Sequence, residues 1–285
     1  MTRSRTWLVV ALVLSAGGVA AWLAFRPDLR GAGSPPQAHV KPQLKQRPEL
    51  VREQLFAELQ PVKLANCELR RFGEPNDGGY LMCGNLLSAV QTGYSYGISG
   101  YDQWGCDISQ RLKVRVHQYD CFDDRRPVCR NGTTVFHSEC VGPSAATMDG
   151  RLFDTVENQF VRNGDGAARV VVKMDVEGAE WETFLQAPDA VLERIDQLSV
   201  EFHGAGDDRY LAAVLKLKRF FHVANLHFNN YSCQQDIPPF PSWAYEVLFV
   251  NKKLGVPDPS GTVRGPNPLD TPNNRDAKDC QVQTG

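Results

Sequence analysis

The sequence contains no Cys-x-x-Cys pair, which removes the usual spacing of a zinc ribbon. It has no complete Gly-x-Gly-x-x-Gly fingerprint, so the standard signal for a nicotinamide dinucleotide is missing. No internal repeat is present. Positive charge is scarce where a polyanion would need it. Of 31 Lys/Arg and 33 Asp/Glu, residues 1–50 hold seven and two, leaving 24 basic against 31 acidic residues in 51–285. An acidic body offers no surface for phosphate backbones, so no nucleic-acid partner is expected. Long apolar runs are also rare, with one conspicuous case at the start. What remains is 285 residues, 42% hydrophobic and 22% charged, the balance of a globular chain with a sizeable core.

The conspicuous run is TWLVVALVLSAGGVAAWLAF, Thr6 to Phe25, which carries no charge and has about the ~20 residues that cross a bilayer as a helix. Trp7 and Trp22 stand near its ends, where interfacial anchors belong. Residues 1–25 are therefore expected to be a single-pass membrane anchor. The alternative is a signal segment cleaved near Gly18–Ala21, which would secrete the protein. Either way the body lies on the lumenal or extracytoplasmic side. Residues 26–48, rich in Pro, Gly and basic groups, read as a flexible linker, and 49–254 as the folded domain. The last stretch, 255–285, has the composition of a disordered tail, although Cys280 is able to pin it. Eight cysteines behind an export segment imply disulfides, and roughly a hundred pairings are possible.

Between the tails, strand patterns alternate with helical ones. Residues 93–98, 114–119, 133–137, 170–174, 198–202, 221–228 and 244–250 read as strands. Residues 148–160, 189–195 and 209–220 read as amphipathic helices. Such alternation predicts an α/β fold: a Rossmann-like sandwich on a mostly parallel seven-stranded sheet. The last two strands have no helix between them and should form an antiparallel pair at one edge.

In open parallel sheets, ligands bind beyond the carboxyl ends of the strands. The acids placed there are the candidates for chemistry. Asp175 ends VVVKM, and Glu177, two residues on, shares its side while the chain stays extended. Glu180 then enters a first helical turn. Asp120 ends VRVHQY, in the position where an acid takes ribose hydroxyls. Some twenty residues earlier, Gly97 and Gly100 let backbone approach a ligand, with Asp102 just beyond. Glu201 and His203 end the next strand, as a substrate-orienting or basic pair. His227 and Asn229 precede a long loop with PPFPSW, either a substrate lid or an excursion held through Cys233. Asp77-Gly78-Gly79 marks a turn whose Asp77 or Tyr80 would cap a cofactor, unless it is a plain hairpin. Asp175, Glu201, His203 and His227 are ligand types, but without a recognised spacing no metal is expected.

Taken together, FGEPNDGGYLMC, YSYGISGYDQWGCD, VHQYD, VVKMDVEGAEWE, LSVEFH and NLHFNNYSC resemble the methyltransferase-like protein 24 family, related to FkbM-type methyltransferases. The resemblance runs from about Arg70 to Lys252 and is most specific in KMDVEGAEWE. It implies a class I methyltransferase fold with S-adenosylmethionine as cofactor, and transfer to the oxygen of a small-molecule or glycan acceptor. By that resemblance the Gly97–Gly100 turn holds the methionine end, Asp120 the ribose, and Asp175 lies beside the methyl donor. Asp175, Glu177 and His203 are then the candidate catalytic bases, with Gly97, Gly100, Asp102 and Asp120 on the cofactor. Glu180, Glu201, His227 and Asn229 are the candidate substrate contacts. One departure stands out: GYSYGISGYD has aromatics where many class I enzymes carry an acid, and Asp102 is the candidate substitute. The contrasting reading is a non-catalytic tethered module that keeps the fold as an interaction scaffold.

Overall fold

Three consecutive valines have no polar face to offer water, and Val170, Val171 and Val172 are fully buried. Val170 and Val172 join the core on one side of the sheet and Val171 the core on the other, as a two-residue period requires. They belong to the fourth strand of the central sheet in a computed structural model that describes residues 47–261, 263 and 267–282. The candidate membrane segment, residues 6–25, and the expected linker as far as residue 46 lie outside the described residues; its last two residues, Arg47 and Pro48, begin a helix. Among the described residues, no helix is long and apolar enough to cross a membrane.

The central strands, numbered among themselves, are β1 (Thr92–Tyr96), β2 (Arg115–Tyr119), β3 (Thr133–His137), β4 (Val170–Met174), β5 (Ile195–His203), β6 (Phe221–Phe228) and β7 (Ala244–Asn251). They lie in the order β6-β7-β5-β4-β1-β2-β3. β3, β2, β1, β4 and β5 are mutually parallel, and β7 runs antiparallel to both β5 and β6. This is the seven-stranded, mostly parallel α/β sheet with an antiparallel edge pair that the pattern predicts. The helices are α1 (Arg47–Glu58), α2 (Gln103–Leu112), α3 (Val156–Arg162), α4 (Glu180–Gln186), α5 (Asp189–Leu192) and α6 (Asp208–Phe220). One core packs α1, α3, α4, α5 and α6 on the sheet through Leu55, Phe160, Trp181, Leu192 and Leu217. The other packs α2 and a leading hairpin, Leu69–Gly73 with Gly79–Cys83, through Ile108, Phe72 and Met82.

Two helical expectations change. Residues 148–160 are not one helix: Ala146–Met148 and Arg151–Asp154 form a hairpin, and only Val156–Arg162 is helical. Met148 pairs with Arg151, so the turn is Asp149-Gly150, with φ of 50° and 74°. An Asp-Gly pair fits that left-handed two-residue turn, and this local signal overrides the weak helical stripe. The expected helix over 189–195 is the short α5, because Ile195 already starts β5.

All eight cysteines pair, as Cys67–Cys83, Cys106–Cys129, Cys121–Cys140 and Cys233–Cys280. Bridges of this number form and persist chiefly in an oxidising compartment, which agrees with an extracytoplasmic domain. The last bridge bears on residues 267–282, which composition assigns to a disordered tail. They are held instead by Cys280, by the buried Asn273, and by Asn230, whose amide donates to the Asn274 carbonyl at 2.9 Å. Composition misses these contacts because a few cross-links replace the core a tail would otherwise need.

Candidate active site

The register levels the strand ends. Tyr96 of β1 pairs with Tyr119 of β2 and Met174 of β4, and Met174 pairs with Val200 of β5. Gly97, Asp120 and Asp175 therefore follow at one rim. A cleft of about 340 Å³ opens there. Tyr96, Tyr119, Phe122, Val141 and Phe153 supply its apolar lining, and Asp120, Glu139, Asp175 and Glu177 its acidic lining. The Cys121–Cys140 bridge also lines it, tying the chain after β2 to the chain after β3.

At the first turn, Gly97 has φ of 72°, and a Cβ there would lie 1.6 Å from the Asp175 carbonyl oxygen. The absence of a side chain lets the ends of β1 and β4 meet. Gly100 is placed differently: it packs on the Arg125 guanidinium group and does not line the cleft. Asp102 does not line it either. It caps α2 by accepting from the Gly105 N–H at 2.8 Å, and it accepts from Gln118 at 2.8 Å.

Asp120 lines the cleft, but its oxygens are taken. Oδ2 accepts from the N–H groups of Ile98 and Ser99 at 3.0 and 2.7 Å, and Oδ1 from those of Phe122 and Asp123 at 2.8 and 3.0 Å. A carboxylate has about four acceptor positions, so none is left over for a ribose hydroxyl in this arrangement. Asp120 staples the first glycine turn to the loop after β2.

On the acidic side, Asp175 has its Oδ2 3.6 Å from Lys173 Nζ and its Oδ1 3.8 Å from His203 Nε2. Glu177, with φ of 57°, brings Oε2 to 3.6 Å from the same nitrogen. His203 is buried, and its Nδ1 meets Glu180 Oε1 at 3.0 Å. Burial alone would lower the His203 pKa, but the Glu180 hydrogen bond and the charges of Glu180, Asp175 and Glu177 outweigh it and raise it. Glu180 is fully buried and also accepts from the Val176 N–H at 2.8 Å, so it holds His203 and touches no ligand.

The other expected substrate contacts lie off the cleft. Glu201 and Asn229 are buried against each other at 2.8 Å. His227 meets Asn273 Oδ1 at 3.2 Å and borders a separate hollow beside α1 and the C-terminal segment. The loop after β6 is the disulfide-held excursion rather than a lid: Phe240 is buried in the core, and Ser232 bonds Ser242 at 2.7 Å. The leading loop is the plain hairpin, and neither Asp77 nor Tyr80 lines the cleft.

Two functional-looking residues escape sequence reasoning. Lys173, the single charge in VVVKM, is buried and donates to the carbonyl oxygens of Gly97 at 2.7 Å and Tyr96 at 3.2 Å. A lone lysine in a valine strand was the available signal. Glu246 had no such signal, because its partners arrive from distant segments. It pairs across β7 with Glu201 on one side and His227 on the other. Asn273 donates to Glu246 at 2.7 Å and to Asp77 at 3.1 Å.

Burial, ahead of the effects of neighbouring charges, pushes Glu246 from the ordinary 4.5 to about 8. A raised folded value means the contribution to stability is full below pH 4.5 and is lost as pH climbs through about 8. Glu246→Gln keeps the acceptor for Asn273 without the charge. It is expected to match wild type near pH 5 and to exceed it by on the order of 2 kcal/mol near pH 9. Urea unfolding at both pH values checks this, and equal stabilities at the higher pH would rule it out.

No family model matches the chain, and no curated protein matches it. Among solved structures it is similar to the fibrillarin pre-rRNA processing protein of Methanococcus jannaschii, with a TM-score of 0.33. The two are 11% identical over 58% of this chain and 68% of that one. A likeness so loose says nothing of what this chain binds.

Proposed function

We propose that this chain is an S-adenosylmethionine-dependent methyltransferase that acts on an oxygen acceptor such as a glycan outside the cytosol. In this reading residues 6–25 tether it to the membrane or direct its export. The observation that carries it is the cleft at the carboxyl ends of β1, β2 and β4, lined both by aromatic side chains and by carboxylates that include Asp175 and Glu177. The fit is specific in character. Aromatic side chains suit an adenine, and carboxylates suit a sulfonium cation. Asp120 fits as the staple of the turn rather than as a ribose acceptor.

Bound there, S-adenosylmethionine would supply an electrophilic methyl group. The chain's own work is alignment and proton removal. Asp175, Glu177 and His203 Nε2 converge where an acceptor hydroxyl would enter, and a positioned base is worth ~10²–10⁴ in rate. Glu180 acts as a positioning residue that fixes the His203 ring through Nδ1. Lys173 braces the turn through the Gly97 carbonyl.

Ligand-linked stabilisation provides the test. At about a hundred times its dissociation constant, the cofactor should add ~2.7 kcal/mol, or roughly 5–10 °C in melting temperature for a domain of this size. The full-length chain is heated with and without S-adenosylmethionine; no shift at millimolar concentration would discard the reading. A second reading, a non-catalytic interaction module, is favoured by one observation, the complete use of the Asp120 oxygens by backbone. It expects no shift.

A further inference from the structure

We propose that Asp175, Glu177 and His203 form a site for one divalent first-row cation, Mn²⁺ or Zn²⁺, at the rim of the cleft. One ligand atom from each of the three lies within 4.8 Å of the others. His203 Nε2 is 3.8 Å from Asp175 Oδ1, 3.6 Å from Glu177 Oε2 and 3.7 Å from Glu201 Oε1. These distances are too long for hydrogen bonds. They are short enough for a single ion to bridge, at metal–ligand distances of ~2.0–2.2 Å.

A separate observation concerns the histidine. Its side chain is only 3% exposed, yet Nε2 has no hydrogen-bond partner among the described residues. The other nitrogen, Nδ1, meets Glu180 Oε1 at 3.0 Å. A carboxylate only accepts, so one proton sits on Nδ1, and Nε2, which faces the three oxygens, is the nitrogen a cation would take in place of a proton. A histidine backed by a carboxylate in this way is the usual second layer of a metal site. Lys173 is the opposing charge, and it stands at the far oxygen of Asp175, 3.6 Å from Oδ2, while Oδ1 faces His203.

The donor set selects the ion. Mg²⁺ and Ca²⁺ take oxygen ligands, whereas one imidazole with carboxylates suits a borderline ion. Three protein ligands leave coordination positions free, and Asp175 and Glu177 line the cleft, so these positions open toward it. An acceptor hydroxyl in one of them would be acidified by the ion and give its proton to solvent, so the ion, and not the His203 nitrogen it occupies, would promote deprotonation. That role rests on the methyl-transfer reading, but cation binding does not.

The test is calorimetric titration of the chelator-treated full-length chain with MnCl₂, and separately with ZnCl₂, without nucleotide. One site per chain is expected for at least one of the two ions. Glu180→Gln, which removes the charge behind the histidine, should weaken it about tenfold, and Asp175→Asn about a hundredfold. Glu177 has an 82% exposed side chain, so Glu177→Gln should fold normally and still bind about tenfold more weakly. That variant decides the matter if the buried substitutions unfold. The site is refuted if neither ion binds more tightly than about 1 mM, if Glu177→Gln binds as wild type does, or if Ca²⁺ binds more tightly than both.

Discussion

Gly97→Ala is expected to cost roughly 4 kcal/mol or more of stability, and to lose the cleft with it. The added Cβ would lie 1.6 Å from the Asp175 carbonyl oxygen, a backbone atom with no rotamer to escape into. Either the first glycine turn or the end of β4 has to move. A φ of 72° adds its own strain for a residue with a Cβ, of order 1–2 kcal/mol. Gly178→Ala is the control, because Gly178 has φ of 106° and a methyl group added there would meet nothing within 4 Å, so strain acts alone. Urea unfolding of both variants separates the two effects. If Gly97→Ala unfolds at the same midpoint as Gly178→Ala, the contact between the two strand ends is not what stabilises the rim. Should it fold, it is expected to show no thermal shift with S-adenosylmethionine.

Asp120→Ala should lose about 3–5 kcal/mol, since four backbone N–H groups lose one charged acceptor together. The loss is of loop order more than of a ligand contact. Chymotrypsin should therefore cut the variant near Tyr101 or Phe122, the exposed aromatics flanking the two stapled loops, faster than it cuts wild type. Asp102→Ala gives the comparison. It removes a helix cap and the acceptor of the buried Gln118 amide, with a cost of about 2–4 kcal/mol, and the residue is not part of the cleft lining. Equal protease sensitivity of the two variants would show that Asp120 does not hold the loops.

Much of the architecture is readable in the chain alone. Residues 133–137, 170–174 and 221–228 are strands with the bounds their patterns suggest, because apolar alternation and β-branched runs act over a few residues. The convergence of Gly97, Asp120 and Asp175 is readable too, since parallel neighbours must end on the same side of a sheet. The even cysteine count tells of bridges but not of partners, and the Asp149-Gly150 turn is legible as a local signal that prevails over the helical stripe around it. Tertiary structure alone decided how the site residues are used. It filled the Asp120 oxygens with backbone donors, buried Glu180 behind His203, and took Glu201, His227 and Asn229 off the cleft. It also joined Asn273 to Asp77, 196 residues away in the chain. Residue type and local spacing fix where an acid stands along a strand. The partners that occupy its oxygens come from segments whose approach depends on register and loop path, which no local pattern encodes.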